Sequence, residues 1–328
     1  MNHSPQPPAE NRAVITLALG PAIYRAMAIN LARSIRRWHA PGDLPFTLVT
    51  DDPAALPPDL ADVRLQVLRP AELGVGFQTK LHLERLAPAA HTLFIDADCL
   101  VYGPLDPIFA KFAGRPVATL GGSMAEGEWF GDVAALCRQL GVARIPKFNG
   151  GLYYLEPGAA ATAVYTRARE LAGRYDELGL VRLRGLPNDE LLMAAAMALH
   201  GLAAVPDDGT VMADPQACPG PLRTNVLRGH RRLTNPPPPS PRHQAWYPFG
   251  VVQPLIVHFL GHHVHSAPYR AEAARLRLAA RGWPAPLATA LATLAIDLPG
   301  RFTTWTKDRL RPLFHRFAGP RRLPERLR

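Results

Sequence analysis

Apolar and polar residues along this chain fall into short blocks with two different periods. Ala13–Leu19 is an apolar run of strand length, closed by Gly20-Pro21. The next segment, Ala22–Trp38, changes period: Ile23, Met27, Leu31 and Ile35 recur every four residues, which predicts a helix ended by Pro41-Gly42. Phe46–Thr50 predicts a second strand, running into Asp51-Asp52-Pro53, and Val63–Leu68 a third. Thr79–Leu86 has helical spacing, and Thr92–Ile95 predicts a buried strand that ends on Asp96. Further strands are expected at Val117–Leu120, followed by a glycine-rich turn, at Gly151–Leu155 and at Pro254–Leu260. Helices are expected at Ala159–Leu171 and Asn188–His200, the latter with Asn188 as N-cap and acids in its first turn. Residues 205–249 are proline-rich, with the run Pro236–Pro239, and are expected to be irregular.

Strands alternating with helices, most strands apolar throughout, predict an α/β fold. Its sheet should be mixed, mostly parallel and covered by helices on both faces. Ligands of such sheets collect beyond the carboxyl ends of the strands, so the residues just after each strand are the ones to inspect. Composition fits this picture. At 48% hydrophobic, the 328 residues can build a core, which excludes wholesale disorder. Three cysteines, Cys99, Cys137 and Cys218, are too few and too scattered for a disulfide framework, so a reducing compartment is expected. The N-terminal residues are polar and show no signal-peptide pattern, and the apolar stretch Ala285–Leu298 is too short to span a bilayer.

The charge is unevenly placed. The chain carries +10 overall. Residues 301–328 hold nine basic and two acidic residues, a net +7, which leaves +3 for the rest. Phe302, Trp305, Leu310, Leu313, Phe314 and Phe317 share roughly one helical face in this tail, with Pro312 expected to kink or interrupt it. Basic residues between bulky apolar ones describe a segment that lies on an anionic membrane surface. A nucleic-acid-binding tail is the other reading of the same charge.

The candidate chemistry starts at Asp96 and Asp98. Carboxylates at i and i+2 on extended backbone point to one side, where they can share a divalent cation. Such a pair arises readily by chance; the apolar run before Asp96 singles this one out. Three more segments accompany it: RPAELGVGFQTKLHLERL (69–86), KFNGGLYYLEP (147–157) and VHFLGHHVHSAPY (257–269).

In order and spacing these segments resemble the family 8 glycosyltransferases, which include glycogenin and bacterial sugar transferases that extend lipopolysaccharide. The counterparts are ELGV, TKLH, DAD, FNGG and HFLG, within about residues 12–270. The resemblance implies the GT-A fold, a Rossmann-like sheet, and transfer of a sugar from a nucleotide-sugar donor, UDP-linked, to a glycan or lipid-linked acceptor with retained configuration. It implies Mn²⁺ or Mg²⁺ held by Asp96, Asp98 and His258. It puts Lys80, Asn149, Asp189 and Glu190 around the donor sugar and pyrophosphate. Gly151 and Gly261 become close-approach glycines, and the nucleobase is expected near Leu17–Leu19 with Tyr24 stacked on it. Read alone, His258 also fits a buried histidine, Lys80 a surface lysine, and Tyr24 a core aromatic.

Two departures stand out. Glu190 occupies the place of a glutamine, with Ala194 where asparagine is frequent, and a carboxylate is the stronger nucleophile. Val264 replaces a phosphate-clamping lysine, and His265-Ser266 replaces Pro-Trp; His262, His263, His265 or Arg270 are the substitutes at hand. The expected plan is a disordered arm over 1–11, a transferase domain over 12–270 and a helical basic extension over 271–328. The body needs no nucleic-acid surface, and a cytoplasmic protein on the cytosolic face of a membrane is expected. The competing classes are a catalytically silent sugar- or nucleotide-binding protein and a sugar-phosphate nucleotidylyltransferase. The second needs a glycine-rich phosphate loop after the first strand, where this chain has only LGPAIYR.

Overall fold

The computed structural model describes residues 11–69, 72–74 and 76–319. The expected arm, apart from Asn11, and the basic residues from Arg321 onward lie outside the described residues. The chain divides into two compact units between Leu260 and Gly261, whereas the sequence pattern draws a boundary at 270.

The first unit begins with β1 (Arg12–Ala18), α1 (Ala22–Arg36), β2 (Phe46–Thr50), β3 (Arg64–Val67), α2 (Leu83–Leu86) and β4 (His91–Ile95). It continues with β5 (Cys99–Val101), α3 (Asp106–Phe112), β6 (Val117–Ala118), β7 (Leu120–Met124), α4 (Val133–Leu140), β8 (Ile145–Phe148) and β9 (Leu152–Leu155). After α5 (Ala159–Gly173) and α6 (Asp189–Leu199) come β10 (Val205–Pro206), β11 (Met212–Ala213), β12 (Arg223–Asn225), β13 (His230–Thr234), β14 (Val251–Val252) and β15 (Ile256–His258).

The main sheet has the order β3-β2-β1-β4-β9-β6. β3, β2, β1 and β4 are mutually parallel, and β9 runs antiparallel to both β4 and β6. This is the mixed, mostly parallel α/β sheet that the sequence predicts. Both faces of β1 are buried. Ile15 belongs to the core that Phe94, Tyr153 and the apolar residues of α5 and α6 form, while Val14 and Thr16 point the other way and are equally buried. A strand buried on both sides reads as a continuous apolar run, which is why Ala13–Leu19 shows no alternation. Chain direction matters more than sheet size for the site. The chain leaves β1 toward β2 and β3, then returns to the opposite side of β1 as β4. The carboxyl ends of β1 and β4 therefore flank a topological switch point, where α/β sheets open a crevice.

Several local expectations change. Residues 76–82 form a tight 3₁₀ run before the single α turn of α2, instead of one helix over 79–86. The glycine-rich segment after β6 is strand, not turn: Gly121 pairs with Phe148, so close that an added Cβ would collide with the Lys147 carbonyl. The proline-rich stretch 205–249 holds two strands, β12 and β13, of a small antiparallel sheet completed by β14. Helix α4 is absent from the sequence reading; Asp132 caps its start and Gly141, with φ 68°, its end.

The second unit is helical: α7 (Ala267–Ala280), α8 (Ala285–Ala292), a π turn over Thr293–Asp297, and α9 (Leu298–Ala318). Within it Arg275 pairs with Glu272 at 2.9 Å and donates to the Thr293 hydroxyl at 3.0 Å. Arg301 pairs with Asp297 at 2.9 Å. Helix α9 continues through position 312 to Ala318 rather than being interrupted there. No helix among the described residues is long and apolar enough to cross a membrane.

Candidate active site

The site is built where β4 ends. Asp96 follows β4 directly, its amide donating to the Gly151 carbonyl at 3.0 Å. One residue past the turn, β5 pairs antiparallel with β15, and His258 stands opposite Cys99. That register carries a histidine 160 residues away in sequence onto the second aspartate. His258 Nε2 lies 3.0 Å from Asp98 Oδ1 and 3.9 Å from Asp96 Oδ2.

The orientation of His258 is set from behind. Its Nδ1 is 2.8 Å from Asn149 Oδ1. That oxygen also accepts from the Gly151 amide at 2.9 Å, while Asn149 Nδ2 donates to Asp214 Oδ2 at 3.3 Å. Turning the amide over would face its NH₂ against the Gly151 N–H and its oxygen against the Asp214 carboxylate, so Asn149 has one acceptable orientation, and Nδ1, which faces Oδ1, carries a proton. Asp214 in turn is fixed by the amides of Gln216 and Ala217, both at 2.8 Å from Oδ1. The relay Asp214–Asn149–His258 thus leaves Nε2 aimed at the aspartates. Gly151 is obligatory here, because an added Cβ would lie 2.5 Å from His258 Nδ1.

A second strip holds Lys80 and the start of α6. Lys80 Nζ donates to Asp96 Oδ2 at 2.7 Å and to the Gly150 carbonyl at 3.0 Å, with Asp189 Oδ2 at 3.8 Å. It is no solvated surface lysine. Asn188 caps α6 by accepting from the Leu191 amide at 3.2 Å, which fixes the two acids that follow. Asp189 accepts from the Tyr153 hydroxyl at 3.1 Å, and Glu190 Oε1 accepts from the Gly150 amide at 2.6 Å. Helix α6 is buried over Leu191–Met197, including Ala194, so these acids stand on a rigid base. Gly150 has no room for a side chain either: a Cβ would come within 2.8 Å of Glu190 Cγ.

Burial and charge work against each other throughout. Burial pulls the Lys80 ammonium toward neutrality, but Asp189 and Asp96 outweigh it and the pKa rises. Burial pushes Asp189 upward against the pull of Lys80. For Glu190, burial and then the neighbouring Asp189 push the carboxyl up to about 7. Burial would lower His258, yet Asp98 and Asp96 raise it to about 9. Burial alone would raise Asp98, but the imidazolium brings it below its ordinary value.

Among the described residues Asp98, Cys99 and His258 form a group whose ligand atoms lie within 4.8 Å of one another. The donor set fits a small divalent cation. Bonds of about 2.1 Å place adjacent octahedral ligands about 3 Å apart, close to the 3.0 Å between Asp98 Oδ1 and His258 Nε2. Burial holds the Cys99 thiol well above its ordinary pKa, with Asp98 and Asp96 adding to the effect, so the oxygen and imidazole donors dominate.

The remaining expected residues sit at the carboxyl end of β1 or in the second unit. Leu17 and Leu19 are half-buried, and the Gly20 amide donates to both Asp51 oxygens at 3.1 and 3.0 Å. Tyr24 is exposed in the first turn of α1, not in the core. Gly261 opens the second unit in a left-handed conformation, φ 60°. Sequence reasoning misses Asp214, Tyr153 and Cys99. Asp214 carries the same signal as Asp96, an acid immediately after an apolar strand, but β11 is only Met212–Ala213 and too short to be recognised.

No protein-family model matches the chain, and no curated protein matches it. Similar solved structures include the galactosyltransferase LgtC in complex with donor and acceptor sugar analogs. It is 14% identical, over 85% of this chain and 95% of that one, with a TM-score of 0.49. An active-site mutant of LgtC is 14% identical over 76% and 87% of the two chains, with a TM-score of 0.48. The glycosyltransferase GlyE of Streptococcus pneumoniae is 14% identical over 60% and 45%, with a TM-score of 0.40.

Proposed function

We propose that this chain is a GT-A glycosyltransferase of the family 8 type, moving a sugar from a nucleotide-sugar donor to a glycan or lipid-linked acceptor. The observation that carries the reading is the pairing of Asp98 with His258 at the switch point of the sheet, backed by a buried Lys80 and the two acids that open α6. Asp98 and His258, with Asp96 beside them, would hold Mn²⁺ or Mg²⁺. Such an ion, when bound, offsets the negative charge that develops on a departing nucleoside diphosphate.

The chain's own groups account for the rest. Lys80 supplies a permanent cation beside Asp96 and Asp189, a counter-charge for pyrophosphate oxygens. Asn149 acts through His258, holding its Nδ1 proton so that Nε2 is the nitrogen turned toward Asp98. Asp189 and Glu190 line the donor sugar. Glu190, with its carboxyl pushed up to about 7, exchanges its proton near neutral pH and flanks the reacting carbon. Leu17, Leu19 and Tyr24, at the end of β1, form the nucleobase side, with UDP the expected donor nucleotide.

Attachment to an anionic membrane surface, on the cytosolic side, belongs to the same reading. Phe302 is 66% exposed and Phe317 is 85% exposed, with Trp305, Leu310, Leu313 and Phe314 also in solvent. Arg309 lies 5.6 Å from the Trp305 ring. Basic and aromatic groups side by side in water suit the headgroup boundary of an anionic bilayer. No role for nucleic acid is needed.

A thermal-shift screen of UDP-, GDP-, ADP- and dTDP-sugars, each with Mn²⁺ or with EDTA, tests the reading. One nucleotide class should raise Tm only with metal, by an amount set by its saturation, about 2.7 kcal/mol at a hundredfold excess over Kd. Equal shifts with EDTA, or none with any nucleotide, would contradict it.

A further inference from the structure

The loop between β13 and β14 has no regular structure, yet it is tightly fixed. Asn235 is 2% exposed, and its Nδ2 donates to the carbonyls of Gln244 at 3.0 Å and Tyr247 at 3.3 Å. Its Oδ1 accepts from the Gln244 amide at 2.9 Å. Three rings stand on this clamp. Trp246 meets Tyr247 edge-on with centroids 5.8 Å apart, and Tyr247 meets Phe249 at 5.4 Å. The indole Nε1 donates to Gln244 Oε1 at 2.9 Å. Trp246 is nevertheless 57% exposed. Burial of large apolar surface is favourable, so a fixed indole left largely in water gives up stabilisation that a ligand would restore.

This platform adjoins the candidate site. The Lys147 ammonium lies 6.0 Å from the Trp246 ring centroid, and Lys147 is on β8, two residues before Asn149. Among the described residues no carboxylate pairs with Lys147. The Tyr247 hydroxyl is buried without a hydrogen-bond partner and feels the charges of Asp207 and Asp214, the latter being the partner of Asn149. A rigid indole with an ammonium over its ring, left without a carboxylate among the described residues, matches a particular chemistry. The C–H face of a pyranose stacks on the ring, and an anionic substituent on that sugar meets the cation.

We propose that Trp246 and Lys147 form an acceptor subsite for a sugar ring bearing a carboxylate or phosphate group. This rests on the transferase reading above. The test uses the full chain with Mn²⁺ and UDP on an array of neutral, uronate-bearing and phosphorylated glycans. Anionic glycans should bind, the uronate and phosphate arms identifying the group. Trp246→Ala should lower that signal at least about tenfold, a difference of ~1.4 kcal/mol, and Trp246→Phe should restore most of it. Lys147→Gln should reduce the anionic glycans to the level of their neutral counterparts. Unchanged binding by Trp246→Ala, or a preference for neutral glycans, would overturn the proposal. So would an array without any signal while UDP and Mn²⁺ still raise Tm, and the transferase reading would then stand. If no nucleotide with Mn²⁺ raises Tm, both fall. Should Trp246→Ala not fold, Lys147→Gln decides: retained selectivity for anionic glycans overturns the subsite.

Discussion

The strip around Asn149–Gly151 and the outer face of α9 treat their side chains in opposite ways. In the strip, polar groups are buried and nearly every one is held by two partners: Lys80 by Asp96 and Gly150, Asn149 by His258, Gly151 and Asp214. On α9, large apolar groups stand in water, and Phe302 and Trp305 stack on each other, 6.0 Å apart. The contrast separates two kinds of function. Chemistry on a charged substrate needs groups fixed before it arrives, at a cost in desolvation that only close pairing offsets. Adhesion to a fluid surface needs side chains free to enter it. Changes in the strip should therefore move stability and metal affinity together, and changes on α9 should move neither.

The largest effect is expected from Lys80→Met. It leaves Asp96 and Asp189 as buried carboxylates without their cation, and breaking a buried pair in this way costs about 3–5 kcal/mol. Calorimetry at neutral pH should show Tm lowered by roughly 10 °C; a change under about 2 °C would mean that Lys80 is not the counter-charge. Next comes Asp214→Asn, which preserves shape but removes the carboxylate that orients the Asn149 amide. Mn²⁺ affinity measured by calorimetric titration should weaken about 10–100-fold. Unaltered affinity would break the relay.

Glu190→Gln sharpens the same region through pH. The folded-state pKa of about 7 lies above the ordinary 4.5. The neutral carboxyl therefore contributes stability that is complete below about 4.5 and lost as pH rises through about 7. In urea unfolding of the metal-free chain, the Gln variant should gain on the parent across that window; parallel curves would remove Glu190 from the buried set. The smallest effect on stability belongs to Phe302→Ser with Trp305→Ser. Tm should stay within about 2 °C, while co-sedimentation with anionic vesicles falls at least about tenfold. Equal binding of neutral and anionic vesicles by the parent chain would remove the electrostatic part.

The sequence exposes those parts of the site that depend on local pattern. Asp96 is visible because an apolar strand ends on it, and Asn188 because an N-cap followed by acids opens a helix. Gly151 stands out only through FNGG, since the contact that demands a glycine is with His258, far along the chain. What stays hidden depends on pairing between distant segments. Nothing in VHFLG announces that β15 will lie antiparallel to β5 with His258 opposite Cys99. The surroundings of Lys80 are equally hidden, because they come from β4, α6 and the Gly150 turn together. Residues 205–249 mislead for a different reason: their strands are two to five residues long, and prolines between them mask the alternation.

The account turns on the cation site that Asp98 and His258 share. The direct measurement is release of UDP from a UDP-sugar by the full chain, with and without Mn²⁺, compared with Asp98→Ala. The parent should turn over only with metal, and the variant should lose that turnover by at least about a thousandfold while its circular dichroism still shows the parent's secondary structure. Turnover that survives EDTA, or that Asp98→Ala retains, would contradict it.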